Sequence, residues 1–184
     1  MKHWFLSLKN GTETVKAFKG ETDLKKGLQN ILLSHFVLAA LMLVLVFSAV
    51  LNNGQEALVY LFWPVGFLVI GAVSWLTKSY LYHSFASLVG GRGDYKEYAG
   101  LISFPMAGAI VIGSILIVVF LFSVFEWTVL YLLLVLIPLI SIIQITEKEY
   151  GISKGKAVTV VILPTTMMVV ISMLLSWYGL TLPL

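Results

Sequence analysis

From Ile31 to the C-terminus the chain is apolar in blocks, and its longest polar interruption is His83–Pro105, HSFASLVGGRGDYKEYAGLISFP. An apolar block of about 20 residues crosses about 30 Å of hydrocarbon at 1.5 Å per residue. The blocks here predict spans at about 31–51, 58–82, 98–125, 128–146 and 157–178. Hydrophobic residues make up 59% of the 184 residues and charged residues 11%, against about 45–50% and about 25% in a soluble domain. The expected fold is therefore all-α: a polytopic membrane protein of five transmembrane helices (31–184) behind a polar N-terminal segment (1–30). Because the interruption has an even number of spans on one side and an odd number on the other, its sidedness sets the whole topology.

Charge chooses that side. With the N-terminus inside, the inner segments 1–30, 78–96 and 147–156 hold 6, 3 and 3 basic residues, which is all 12. The outer links and the tail hold none and carry Glu56 and Glu126. This is the positive-inside pattern, and it places the N-terminus inside and the C-terminus outside. Aromatics agree: Tyr60, Trp63, Trp127, Tyr131, Trp177 and Tyr178 fall at expected outer ends, and Trp75, Tyr80, Tyr82, Tyr95, Tyr98 and Tyr150 near inner ends. The net charge of +3 and pI near 9.1 would suggest nucleic acid in a soluble protein. Here they express orientation, and no nucleic-acid partner is expected.

In residues 1–30, Trp4, Phe5 and Leu8 share one helical face, and Val15 and Phe18 form a second apolar pair beyond Asn10-Gly11. Two readings are compatible: interfacial helices on anionic lipid, or a positive flank orienting the first span. The apolar run that follows exceeds a signal peptide's h-region, so cleavage is not expected. Spans two to five each hold one proline. Pro64 and Pro105 lie near expected span starts, where a missing N–H costs little. Pro138 and Pro164 lie near mid-span and read as kinks or as hinges. Ser103/Ala107 and Ala109/Gly113, spaced by four, predict close packing of span three on a neighbour.

The residues Gly90-Gly91-Arg92-Gly93-Asp94-Tyr95-Lys96-Glu97 resemble the Yip1-domain family. In that family a histidine or similar residue late in span two precedes a Gly-Gly-basic-Gly stretch, then an aromatic, a lysine and a proline. Here these are His83, Gly90, Gly91, Arg92, Gly93, Tyr95, Lys96 and Pro105. Glu149–Ala157, EYGISKGKA, is similar to the family's entry to span five. The resemblance covers about residues 10–180 and implies five spans with a cytosolic N-terminus. Eukaryotic members bind Rab-type GTPases in vesicle traffic and carry a long acidic N-terminal region with an Asp-Leu-Tyr-Gly-Pro motif. This chain has neither, so GTPase binding is not carried over. It looks like the compact prokaryotic members, which implies a prokaryotic cell membrane.

Catalytic chemistry is not expected. Gly91-Arg92-Gly93-Asp94 reads as G-x-G-D, the motif of intramembrane aspartyl proteases, but that chemistry needs a pair of carboxylates. The other aspartate, Asp23, is in the N-terminal segment. The glycine-rich loop lacks the Walker spacing for a phosphate cradle. His3, His35 and His83 have no metal-ligand spacing, and cysteine is absent, so no cofactor or metal is expected. The expected function is a membrane scaffold, adaptor or lipid organiser. It would act through an inner basic surface of Gly90, Gly91, Arg92, Gly93, Asp94, Tyr95, Lys96, Lys154 and Lys156, with anionic headgroups or a protein as partner. The alternative is a passive channel or transporter subunit, its pore built by oligomerisation with Ser141, Gln144, Thr165 and Thr166 as lining. In this reading His35 and Lys78 sit near inner span ends, Lys78 close enough to snorkel to headgroups.

Overall fold

The computed structural model describes residues 2–53, 63–120 and 127–177. The two links expected on the outer side, with Gln55, Glu56 and Glu126, and the tail beyond Trp177 lie outside the described residues.

Those residues form seven helices and no strands: α1 Lys2–Lys9, α2 Gly11–Phe18, α3 Leu24–Asn53, α4 Trp63–Leu88, α5 Tyr95–Phe120, α6 Trp127–Tyr150 and α7 Lys154–Trp177. Short polar side chains begin several of them by accepting the otherwise unpaired first N–H groups. The Asn10 side chain accepts from Thr12 and Glu13 at 3.0 and 3.3 Å. The Asp23 carboxylate accepts from the Lys26 N–H at 2.8 Å, and the Asp94 carboxylate from the Glu97 N–H at 2.9 Å. At the end of α4, Gly90 takes φ +89°, its N–H donates to the Ser87 carbonyl at 3.1 Å, and the Gly91 N–H donates to Ala86 at 2.9 Å. This is a Schellman stop, which favours glycine because a side chain is strained at positive φ.

Among the described residues, four stretches are long and apolar enough to cross a membrane: Leu24–Val44, Val65–Leu88, Tyr95–Leu116 and Lys154–Ile171. Over its described residues the chain is thus all-helical, with four candidate membrane spans. Helix α6 holds the expected span 128–146, of which side chains are described from residue 136 onward. Large apolar side chains such as Phe36 (60% exposed), Val69 (57%), Ile140 (59%) and Met173 (68%) cover the outside. In water such a surface would be an aggregation site; in a bilayer it is solvated by lipid.

Helix α5 is the centre. Its apolar stretch is 67% buried, against 22% for each of the other three, and α1, α2, α3, α4 and α6 all pack on it, while α7 packs on α4 and α6. Buried aromatics from α4 and α5 fill the core and place their polar tips on partners, as burial in a bundle requires. Trp75 Nε1 donates to the Ala99 carbonyl at 3.1 Å, Tyr82 OH pairs with Thr165 at 2.8 Å, and Tyr98 OH pairs with Thr146 at 2.9 Å.

Several expected boundaries move. The His83–Pro105 interruption contracts to residues 89–94, because His83–Leu88 finish α4 and Tyr95–Pro105 begin α5. Pro105 is therefore inside α5 and not at its start. Of the expected loop 147–156, only residues 151–153 are outside helices. Polar residues at these helix ends read as loop in sequence, but the backbone there continues the helices.

The N-terminal segment differs from the interfacial reading. An interfacial helix would turn Trp4 and Leu8 to lipid; here they are 4% and 9% exposed and packed in protein. Helices α1 and α2 form a hairpin docked on α5 and α6. Small residues on α5 allow the approach: a Cβ on Gly108 would meet the Trp4 carbonyl oxygen at 2.7 Å, and Ser103 and Ala107 are fully buried. Phe18 stacks on Phe104 at 4.5 Å between ring centres. Polar groups of the spans complete the dock: Ser141 Oγ donates to the Leu8 carbonyl at 2.9 Å, and the Gly11 N–H donates to Gln144 Oε1 at 2.7 Å. Asn30 joins the two layers, donating to Ser103 Oγ at 3.0 Å and accepting from Trp4 Nε1 at 3.4 Å.

Candidate functional site

The three charged segments expected to share one side do meet at one end of the bundle, and Tyr150 and Glu149 join them. The Tyr150 ring is 3% exposed. A Cβ on Gly91 or Gly93 would meet that ring at 3.0 and 2.8 Å, so both glycines are needed for the 89–94 turn to lie against it. The Arg92 N–H donates to the Tyr150 carbonyl at 3.3 Å. The Tyr150 hydroxyl meets His83 Nδ1 at 2.6 Å, and the Tyr98 ring packs edge-on at 5.0 Å.

One residue earlier, Glu149 Oε2 is 3.1 Å from Lys19 Nζ, tying the end of α6 to the residue after α2. The Glu97 carboxylate accepts from the Gly20 N–H, a second tie between the N-terminal segment and the start of α5. Burial pushes the Glu149 carboxyl above its ordinary range; Lys19 and the Asp94 backbone N–H pull it down, and Glu97 pushes it up again. The Tyr150 hydroxyl is likewise pushed up by burial, then by the neighbouring Glu149 and Asp94 charges. Lys156 Nζ donates to the Val89 carbonyl at 2.9 Å, a cation at the carbonyl end of α4 where the helix dipole favours it.

The expected site residues thus divide into two groups. Gly90, Gly91, Gly93, Asp94 and Lys156 build the junction, and Tyr95 packs on it, its ring 5.3 Å from that of His83. Arg92, Lys96 and Lys154 are exposed, and their charged groups make no hydrogen bond or ion pair among the described residues. Lys25, at the start of α3, is exposed and unpaired in the same way. Sequence reasoning placed Tyr150 in an interfacial belt and did not see the Lys19–Glu149 pair, since residues 130 apart in sequence carry no local signal. Among the described residues no three of His, Asp and Glu gather as a metal would require.

Within one chain the residues expected to line a pore have separate surroundings. Ser141 and Gln144 are engaged by the α1–α2 hairpin. Thr165 bonds Tyr82 inside the bundle, while Thr166 faces outward.

No family model, curated protein or solved structure matches this chain. The fold and the site define its class: a protein whose described residues are all helical, with four candidate membrane spans among them and a tied, charged junction at one end.

Proposed function

We propose that this chain is a non-enzymatic integral membrane protein of five spans, N-terminus cytosolic, that organises anionic lipid at its cytosolic face as a scaffold. It would be a compact prokaryotic relative of the Yip1-domain type. The observation that carries the reading is the set of exposed, unpaired cations Lys25, Arg92, Lys96 and Lys154 around a junction where Lys19 and Lys156 are already engaged, by Glu149 and by the Val89 carbonyl. A cation beside an anionic bilayer contributes about 1 kcal/mol, screened by salt over about 8–10 Å. Paired lysines contribute less, because a carboxylate already neutralises them.

The rigid mounting supports the same reading. Arg92 is held through its backbone on Tyr150, so its side chain projects from a fixed turn. Extraction of the protein with its lipid shell in polymer-bounded discs, followed by lipid analysis, tests the proposal. The wild type should be enriched in phosphatidylglycerol over the bulk membrane, and Arg92→Gln with Lys96→Gln and Lys154→Gln should lose most of that enrichment at unchanged thermal stability. Equal enrichment in the triple variant would remove the proposal.

A further inference from the structure

The bundle holds a half-enclosed cavity of about 250 Å³ lined from α3, α4, α5, α6 and α7. Its polar lining includes His35, Ser74, Lys78, Tyr82 and Thr165; its apolar lining includes Met106, Ile110, Leu139 and Ile142. Gly71, Ser74, Lys78 and Tyr82 recur at helical spacing on one face of α4. The absence of a side chain at Gly71 admits the His35 ring against α4, since a Cβ there would collide with it. His35 Nδ1 is 2.9 Å from the Ile31 carbonyl, which fixes the ring.

Lys78 is the informative residue. It lies ten residues before the end of α4 at Leu88, about 15 Å along the axis. Because the candidate span runs on to Leu88, Lys78 lies deeper in it than its distance from the expected span end at Tyr82 suggests. Its ammonium makes no hydrogen bond or ion pair among the described residues, and none of the cavity's lining residues is acidic. A charged group within a membrane bundle is costly unless something pairs with it. Tyr82 and Thr165 satisfy each other, and His35 is a second nitrogen base on the same cavity.

We propose that this cavity binds the anionic head of an amphiphile, a carboxylate or a phosphate monoester, with Lys78 as its counter-ion. Ser74 stands one turn from Lys78 to donate a second hydrogen bond to the head. The volume is below the about 300–1,000 Å³ of pockets that enclose a whole drug-sized ligand. It takes the head and the first carbons of one chain, against Met106, Ile110, Leu139 and Ile142, while the rest of the chain stays in the bilayer. A diacyl lipid is too bulky for it. The site is distinct from the charged junction, and its occupancy does not depend on Arg92, Lys96 or Lys154.

Radiolabelled oleate binding to the full-length protein in phosphatidylcholine nanodiscs tests the proposal. Binding should saturate, weaken about tenfold or more in Lys78→Gln, and stay within about threefold in Lys78→Arg, because a charge-assisted hydrogen bond is lost in the first and kept in the second. Ala109 also lines the cavity, and Ala109→Leu, which narrows it and keeps the charge, should also weaken binding and decides the matter if Lys78→Gln misfolds. Oleyl alcohol should compete poorly. Competition by inorganic phosphate as strong as by unlabelled oleate would keep the anion site and assign it to free anions. Binding unchanged in Lys78→Gln, equal competition by the alcohol, or no saturable binding of oleate or phosphate would each overturn the proposal.

Discussion

His83 Nδ1 and the Tyr150 hydroxyl are 2.6 Å apart, and this one contact joins the last turns of α4 and α6 beneath the 89–94 turn. Tyr150→Phe should destabilise the protein by about 1–3 kcal/mol, since it leaves a half-buried ring nitrogen without its partner. Tyr150→Ala should cost about 3–5 kcal/mol, because it also empties the space that Gly91, Gly93 and Tyr98 pack against. Unfolding in detergent followed by tryptophan fluorescence checks both, with the order Ala below Phe below wild type.

Glu149 gives the junction a pH signature. Its folded-state pKa is raised, burial outweighing Lys19. A raised pKa contributes stability that is fully present below the unfolded carboxyl value, about 4.3, and is lost as pH rises through the folded value. Glu149 lies past the expected span 128–146. Wild type should gain stability relative to Glu149→Gln as pH falls from 7 toward 4. Midpoint temperatures across that range measure it; a parallel pair of curves would contradict the assignment.

Gly108→Val should push α1 off α5, because even a Cβ would meet the Trp4 carbonyl oxygen at 2.7 Å. The expected cost is about 1–3 kcal/mol, with hydrogen exchange rising across residues 2–18 more than in α5. Gln144→Leu should raise exchange in the same segment by leaving the Gly11 N–H unpaired. Unchanged exchange in both variants would mean the hairpin is not held by these contacts.

The proposed sidedness is tested by single cysteines at Gln55, Asp94 and Lys154, in a chain that has no native cysteine. An impermeant thiol reagent added to intact cells should label only the Gln55 position. Outside labelling at Asp94 would reverse the topology and move the basic junction away from the cytosolic leaflet.

The helical class and the clustering of the charged segments were legible in sequence, because apolar block length and lysine position are local properties. The junction was half legible. Gly90, Gly91, Gly93 and Asp94 announce a turn and a helix start from their own chemistry. Nothing local says that Tyr150 is the surface they fold against, or that Lys19 reaches Glu149. The N-terminal hairpin was misread for the same reason: Trp4 and Leu8 on one helical face need an apolar partner, and a sequence pattern cannot distinguish lipid from the small-residue face of α5. Lys78 is the sharpest case. Sequence position placed it near a span end, a short reach from headgroups, whereas the helix continues to Leu88 and turns the side chain onto a cavity built by five helices. Periodicity and charge determine which segments are helical, which of them can enter a bilayer and which side the lysines favour. Which face meets lipid, which meets protein and which surrounds an unpaired cation is decided only when helices far apart in sequence pack, because burial is a property of the assembled bundle and not of any one helix.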